Sequence, residues 1–341
     1  MTLQEFISLV VERLSVHYPA QEAKAIAVRL LKESIEGYKG YEHLVEPGRE
    51  LESFQLAECC AVAGEKASGG GDDEVNAGCE GYLLNCARRL ATGEPLQYVL
   101  GYEWFCGHRF NVAPGVLIPR PETEELVREV VAHAAQAVVS GAGSVDSNGN
   151  PVEEKQRLRV LDICTGSGCI AWSVAAELGD RAEVYGCDIS AVALAIAVGQ
   201  QVDSNDVKFF ECDILAPVAE EVIARECGML MADHSGGDGH FDIIVSNPPY
   251  VCECERALMQ RNVLDFEPEL ALFVPDDDPL RFYRRIAELS GRLLRPGGKL
   301  FFEINERFGA ETLEMLAGMG FNGCRVVQDI FGKERMTVAQ R

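Results

Sequence analysis

The first apolar residues of the chain, Leu3, Phe6, Ile7, Val10, Val11 and Leu14, recur at intervals of three and four, the spacing of one helix face. Thr2 and Glu5 make a capping box ahead of them, so the chain is predicted to open on an amphipathic helix. Further helices are expected over about 21–36, about 49–63 and about 79–92, the last with Leu83, Cys86, Ala87 and Leu90 on one face. GEKASGGGDDEVNAG, residues 64–78, is Gly-rich and charged and is predicted to be a loop. From residue 93 the character changes. In GEPLQYVLGYEWFCGHRFNVA, residues 93–113, aromatic and β-branched residues alternate with glycine, which predicts a β-hairpin linker. Pro121 then suits the first turn of a helix carrying Leu126, Val127, Val130 and Val131 on its apolar face.

After a polar loop at 140–157, strands and helices alternate. Strands are predicted at RVLDIC (159–164), EVYGCD (183–188), VKFFEC (207–212), FDIIVS (241–246) and KLFFEI (299–304). Helices are predicted from Cys169, over AVALAIAVGQQ, near 279–294 and near 309–319, and CRVVQD with ERMTVAQ reads as a terminal hairpin. CGMLMADHSGGDGH, residues 227–240, reads as an insertion before the fourth strand. This alternation predicts an α/β fold, a mainly parallel sheet with helices on both faces. The expected organisation is a helical domain over 1–92, a hairpin linker over 93–113 and a sheet domain over 114–341.

Composition narrows the partners. A length of 341 residues suits about two domains, and no apolar run is long enough to span a membrane. The first residues lack a basic segment and a small-residue cleavage site, so no secretory signal is expected. A net charge of −23 argues against tight, non-specific nucleic-acid binding, where basic residues must neutralise phosphates, but leaves a basic protein partner open. The thirteen cysteines are odd in number and scattered, without CxxC or zinc spacing, so no metal site is expected and a reducing cytoplasm is the natural setting.

Chemistry concentrates after the strands. VLDICTGSGCIA sets a glycine turn between strand and helix, where Gly166 and Gly168 let backbone approach a ligand at the helix N-terminus. Asp188 stands twenty residues past Gly168, at the end of the next strand, where a carboxylate accepts the hydroxyls of a ribose. Asp162 precedes the loop and either orients it or meets a ligand amine; Asp213 follows the third strand, where an adenine amino group could be read. Gly166, Gly168 and Ala171 also satisfy a dinucleotide pattern, so a nicotinamide enzyme and a nucleoside-binding methyltransferase both stay open here. Asn247-Pro248-Pro249-Tyr250 is a stiff turn after FDIIVS. An amide nitrogen is a poor nucleophile because its lone pair is delocalised. The Asn247 side-chain oxygen and the Pro248 carbonyl could accept both its N–H groups, and Tyr250 could stack on the planar group.

NPPY with the TGSG loop resembles the amino-group methyltransferases, and the longer set GEPLQYVLGYEWFCG, LIPRPETEELV, VSNPPYV, FEPELALF, LRPGGKLFFEI and DIFGKER resembles the protein-(glutamine-N5) methyltransferases that modify peptide chain release factors. The resemblance implies a Rossmann-like seven-stranded sheet, S-adenosylmethionine as cofactor, and the glutamine of a Gly-Gly-Gln release-factor loop as substrate. It also implies a cofactor loop at Cys164, Thr165, Gly166, Ser167 and Gly168, with Asp162, Asp188, Asp213, Ile214 and Asn247 around it. Substrate contacts fall on Asn247, Pro248, Pro249 and Tyr250, flanked by Arg120 and Glu122. An amino-group methyltransferase acting on nucleic acid is the alternative, and the acidic charge opposes it. Three positions depart from the family: Cys164 and Asn305 stand where glycine is common, and Ile214 where an aromatic is often found.

Overall fold

A computed structural model of the chain describes residues 3–35, 72–141, 157–204, 206–229 and 240–341. The expected helix at 49–63, residues 64–71 of the first expected loop, and most of 140–157 and 227–240 lie outside the described residues. The contacts divide the chain into two compact units, one of residues 1–101 and 259–266, the other of 102–258 and 267–341.

The first unit is helical: Leu3–Leu14, Ala20–Ile35, Asp72–Leu90, the short Leu96–Leu100 and Arg261–Phe266. Its core joins Phe6, Ile7, Val10, Leu14, Ala27, Leu30, Leu83, Cys86, Ala87 and Leu90, so most of the apolar positions read from the spacing are buried, with Val11 half-buried against them. Two boundaries differ from expectation. The third of these helices begins at Asp72, inside the segment expected to be a loop, because the glycine run ends at Gly71 and the acidic run after it suits a helix start. Residues 96–100, expected to be part of the hairpin, are helical. Pro95 leads in with φ −56, and Gly101 ends the turn at φ 83, which a glycine adopts at no steric cost. Arg89 holds this turn in place, donating to the Tyr98 and Val99 carbonyls and to Glu94.

The second unit opens with the hairpin itself, β1 (Tyr102–Phe105) and β2 (His108–Asn111). Its two-residue turn has Cys106 at φ 48 and Gly107 at φ 78, the doubly left-handed turn that matches strand twist. The remaining strands are β3 (Leu158–Ile163), β4 (Ala182–Asp188), β5 (Lys208–Glu211), β6 (Phe241–Ser246), β7 (Val251–Cys252), β8 (Phe273–Val274), β9 (Leu294–Glu303), β10 (Asn322–Gln328) and β11 (Glu334–Gln340). Seven of them form one sheet in the order β10-β11-β9-β6-β3-β4-β5. β9, β6, β3, β4 and β5 run parallel, and β11 and β10 are the antiparallel terminal hairpin. β6 is buried along its whole length, which is why FDIIVS carries no alternation. Helices cover the sheet, with Leu126, Val130, Ile170 and Val174 in one apolar cluster and Ile223, Ile286, Leu289 and Leu316 in another. Among the described residues no helix is long and apolar enough to cross a membrane.

Candidate active site

The chain lays β3, β4 and β5 in one direction, then returns to place β6 on the other side of β3. Loops after β3 and β6 therefore part at the carboxyl edge, and an open cleft at such a switch point is where α/β sheets bind ligands. Ile163, the last residue of β3, pairs with Ser246, the last of β6, and the Ser246 hydroxyl donates to the Ile163 carbonyl at 2.6 Å. The glycine loop and the Asn-Pro-Pro-Tyr turn thus start from adjacent rungs of one ladder. A single cleft is lined by both, through Cys164, Thr165, Gly166, Ser167, Asn247 and Pro249, with Asp188, Asp213 and Ile214 from the β4 and β5 ends.

The loop is held from beneath. Asp162 is fully buried and accepts the Thr165 hydroxyl at 2.6 Å, while the Thr165 N–H donates to the Cys187 carbonyl. This hydrogen bond ties Asp162 to the loop, and Asp162 is not among the residues that line the cleft. Burial pushes its carboxyl up to about 7, against the Thr165 hydrogen bond. Cys164 at φ 61, Gly166 at φ 56 and Gly168 at φ 79 give the loop three left-handed residues, so the cysteine occupies a conformation that glycine holds without strain. Burial pushes the Cys164 thiol well up, aided by Asp188 and Asp162, so it stays a thiol.

Asp188 faces the cleft. Its two oxygens each accept one backbone N–H, from Gly166 at 2.8 Å and Ser190 at 2.9 Å. Burial raises its pKa, and those N–H groups pull it back down. Beside it Ile189, Ile214, Leu215 and Phe282 form an apolar wall. Asp213 is exposed at the rim, with one oxygen accepting the Leu215 N–H at 2.9 Å.

The turn after β6 is fastened on every side. The N–H groups of Tyr250 and Val251 donate to the Leu272 carbonyl, and β7 then pairs with β8, so the FEPELALF stretch backs the turn. Asn305 donates to the Tyr250 carbonyl at 3.2 Å and to Glu255 at 2.9 Å; the residue that departs from glycine is a tie. The Tyr250 hydroxyl points inward to Glu303 at 3.2 Å, and burial raises its pKa far above the usual phenol range. Pro248 is buried and, like Tyr250 and Glu122, is not among the lining residues.

Sequence reasoning missed three residues. Thr123 lines the cleft where Glu122 does not, because a helix turns each successive side chain by about 100°. Its hydroxyl donates to Glu303 at 2.6 Å and lies 3.3 Å from the Asn247 amide nitrogen. Glu303 is buried; burial raises its pKa, opposed by Thr123, Tyr250 and Arg335. Glu267 is also buried and accepts both Arg120 at 2.6 Å and the Ile118 N–H at 3.0 Å, pinning the IPRP stretch to the FEPE stretch. A buried acid in a quoted motif was the available signal, and only contacts far along the chain give it a role.

A methyltransferase-domain family matches residues 154–304. The chain is 44% identical over 302 residues to a release factor glutamine methyltransferase of Bacteroides thetaiotaomicron, covering 87% of this chain and 95% of that one. It is 41% identical over 249 residues to a protein of the same name from Flavobacterium psychrophilum, covering 73% and 76%. Among solved structures it is similar to a release factor-specific protein-(glutamine-N5) methyltransferase from Alicyclobacillus acidocaldarius, at 25% identity and a TM-score of 0.35, over 68% of this chain and 99% of that one.

Proposed function

We propose, from the premise that this chain belongs to the release factor glutamine methyltransferases, that it methylates the side-chain amide nitrogen of the glutamine in the Gly-Gly-Gln loop of peptide chain release factors. S-adenosylmethionine, when bound, supplies an electrophilic methyl group on a sulfonium. The cleft residues suit that molecule. Backbone N–H groups hold the Asp188 carboxylate in place, and a carboxylate has about four acceptor sites, so it can also accept a ribose hydroxyl. The neighbouring wall of Ile189, Ile214, Leu215 and Phe282 suits a purine, and the left-handed loop at Cys164, Gly166 and Gly168 offers backbone at close approach.

Asn247 is the residue on which the chemistry turns. In this reading its side-chain oxygen and the Pro248 carbonyl accept the two N–H groups of the target amide. The amide lone pair is thereby drawn out of conjugation and aimed, while the rigid Pro-Pro turn keeps both acceptors in place. Arg120 and Pro249 line the same cleft and belong to the glutamine side of the site. Tyr250, through Glu303, braces the turn. The observation that carries the reading is the pairing of Ile163 with Ser246, which sets the glycine loop beside Asn247.

The helical unit takes the role of gripping the release-factor body. It has its own core, and the similarity to the Bacteroides relative is too long to be confined to the sheet unit. The net charge of −23 supports a protein partner over nucleic acid, and the cytoplasm, where release factors work, is the fitting compartment.

The test is incubation with methyl-labelled S-adenosylmethionine and a release factor. Label is expected on the loop glutamine and absent from a release factor with that glutamine replaced. Asn247→Ala is expected to lose transfer by at least about 100-fold, the cost of deleting one positioned active-site hydrogen bond, with cofactor affinity little changed. Transfer by Asn247→Ala at the wild-type rate would overturn the reading.

A further inference from the structure

Three side chains behind Asn247 form a buried relay that the reaction itself does not consume. Glu303 ends β9, on the strand beside β6, and only 1% of it is exposed. Its two oxygens meet two hydroxyls: Thr123 at 2.6 Å on one, Tyr250 at 3.2 Å on the other. Two hydroxyl donors, one to each oxygen, are what a buried carboxylate requires. A threonine hydroxyl has a single proton. Thr123 spends it on Glu303, over the shorter contact, so toward Asn247 at 3.3 Å it can only accept. The Asn247 amide must then turn its NH2 to Thr123, which leaves its oxygen for the cleft.

We infer that Glu303 is a positioning residue that, through the Thr123 hydroxyl, decides which end of the Asn247 amide faces the substrate. The inference rests on the proposed reading in which Asn247 accepts a hydrogen bond from the target glutamine. A reversed amide would point N–H groups at the N–H groups of the substrate, losing the acceptor and adding a repulsion. Glutamine at 303 permits that reversal. Its NH2 can donate to the Thr123 oxygen, and the threonine proton is then free to reach the Asn247 oxygen. Valine at 123 keeps the shape of threonine and removes the link.

The test is steady-state methylation of a release factor by the full-length enzyme and its Glu303→Gln, Thr123→Val, Thr123→Ser and Asn247→Ala variants, with melting temperatures and the double variant E303Q/T123V. Expected is a fall in kcat of about 10-fold or more for Glu303→Gln and for Thr123→Val, with the release-factor KM within about threefold of wild type. The double variant should be no worse than the weaker single one, because both remove one link. Thr123→Ser, which keeps the hydroxyl, should restore most of the rate. If Asn247→Ala loses activity while Glu303→Gln and Thr123→Val, folded, retain the wild-type kcat, the inference fails and the proposed function stands. If Asn247→Ala is as active as wild type, both fall. Should Glu303→Gln not fold, the contrast between Thr123→Val and Thr123→Ser decides: equal rates overturn the relay.

Discussion

At the residue scale the buried carboxyls are set by what surrounds them more than by their position in a motif. Asp162 lies beneath the glycine loop with the Thr165 hydroxyl on one oxygen, and burial lifts its carboxyl to about 7 from the ordinary 3.8. The sign of its effect on stability follows. A group whose folded pKa is raised contributes stability that is fully present below its unfolded pKa and is lost as pH rises through the folded value. Asp162 therefore supports the fold at acid pH and withdraws that support as pH climbs through about 7. Asparagine at 162 keeps the shape and cannot ionise. Relative to wild type, the melting temperature of Asp162→Asn should improve steadily between about pH 4 and about pH 7, the interval between the ordinary and the raised value, and level off above it. A difference between the two proteins that stays constant across that range would mean that Asp162 does not titrate there.

At the scale of the element, the loop between β3 and the Cys169–Leu178 helix needs three left-handed residues, and the chain supplies glycine at two. The third is Cys164, at φ 61. An unbranched side chain bears this conformation at a cost of about 1–2 kcal/mol, and a β-branched one bears it worse. Cys164→Gly should keep the stability of the protein or raise it slightly, whereas Cys164→Val should lower it by about 1–2 kcal/mol or more. Urea unfolding reads this as a shift in midpoint at constant slope. Equal midpoints for the glycine and valine variants would show that the loop relaxes away from the left-handed region.

For the whole molecule, a net charge of −23 means that like charges repel across the folded surface. Raising salt from about 10 mM to about 0.1 M shortens the screening length from about 30 Å to about 10 Å, so the melting temperature should rise with sodium chloride. A fall would mean that the surface ion pairs, such as Arg325 with Glu129 and Lys333 with Glu306, outweigh the repulsion.

What was legible in the sequence was local. The apolar spacing of the first helix, the unbroken FDIIVS strand, the glycine turn and the Pro-Pro turn each follow from the period or the backbone limits of a few neighbouring residues. Asp188 was legible too, because it ends its strand and faces the cleft. The helical Leu96–Leu100 segment was not, since aromatic and β-branched residues suit strands until Pro95 and Gly101 bracket them as one turn. Nor was the difference between Thr123 and Glu122, which depends on which side of a helix meets a strand from elsewhere. Only the tertiary structure joined Thr123 to Glu303, 180 positions along the chain, and Arg120 to Glu267, 147 positions along. Periodicity is set by local backbone geometry and can be read from one segment; a buried acid acquires its partner only when the strand order brings distant segments into the same dry interior.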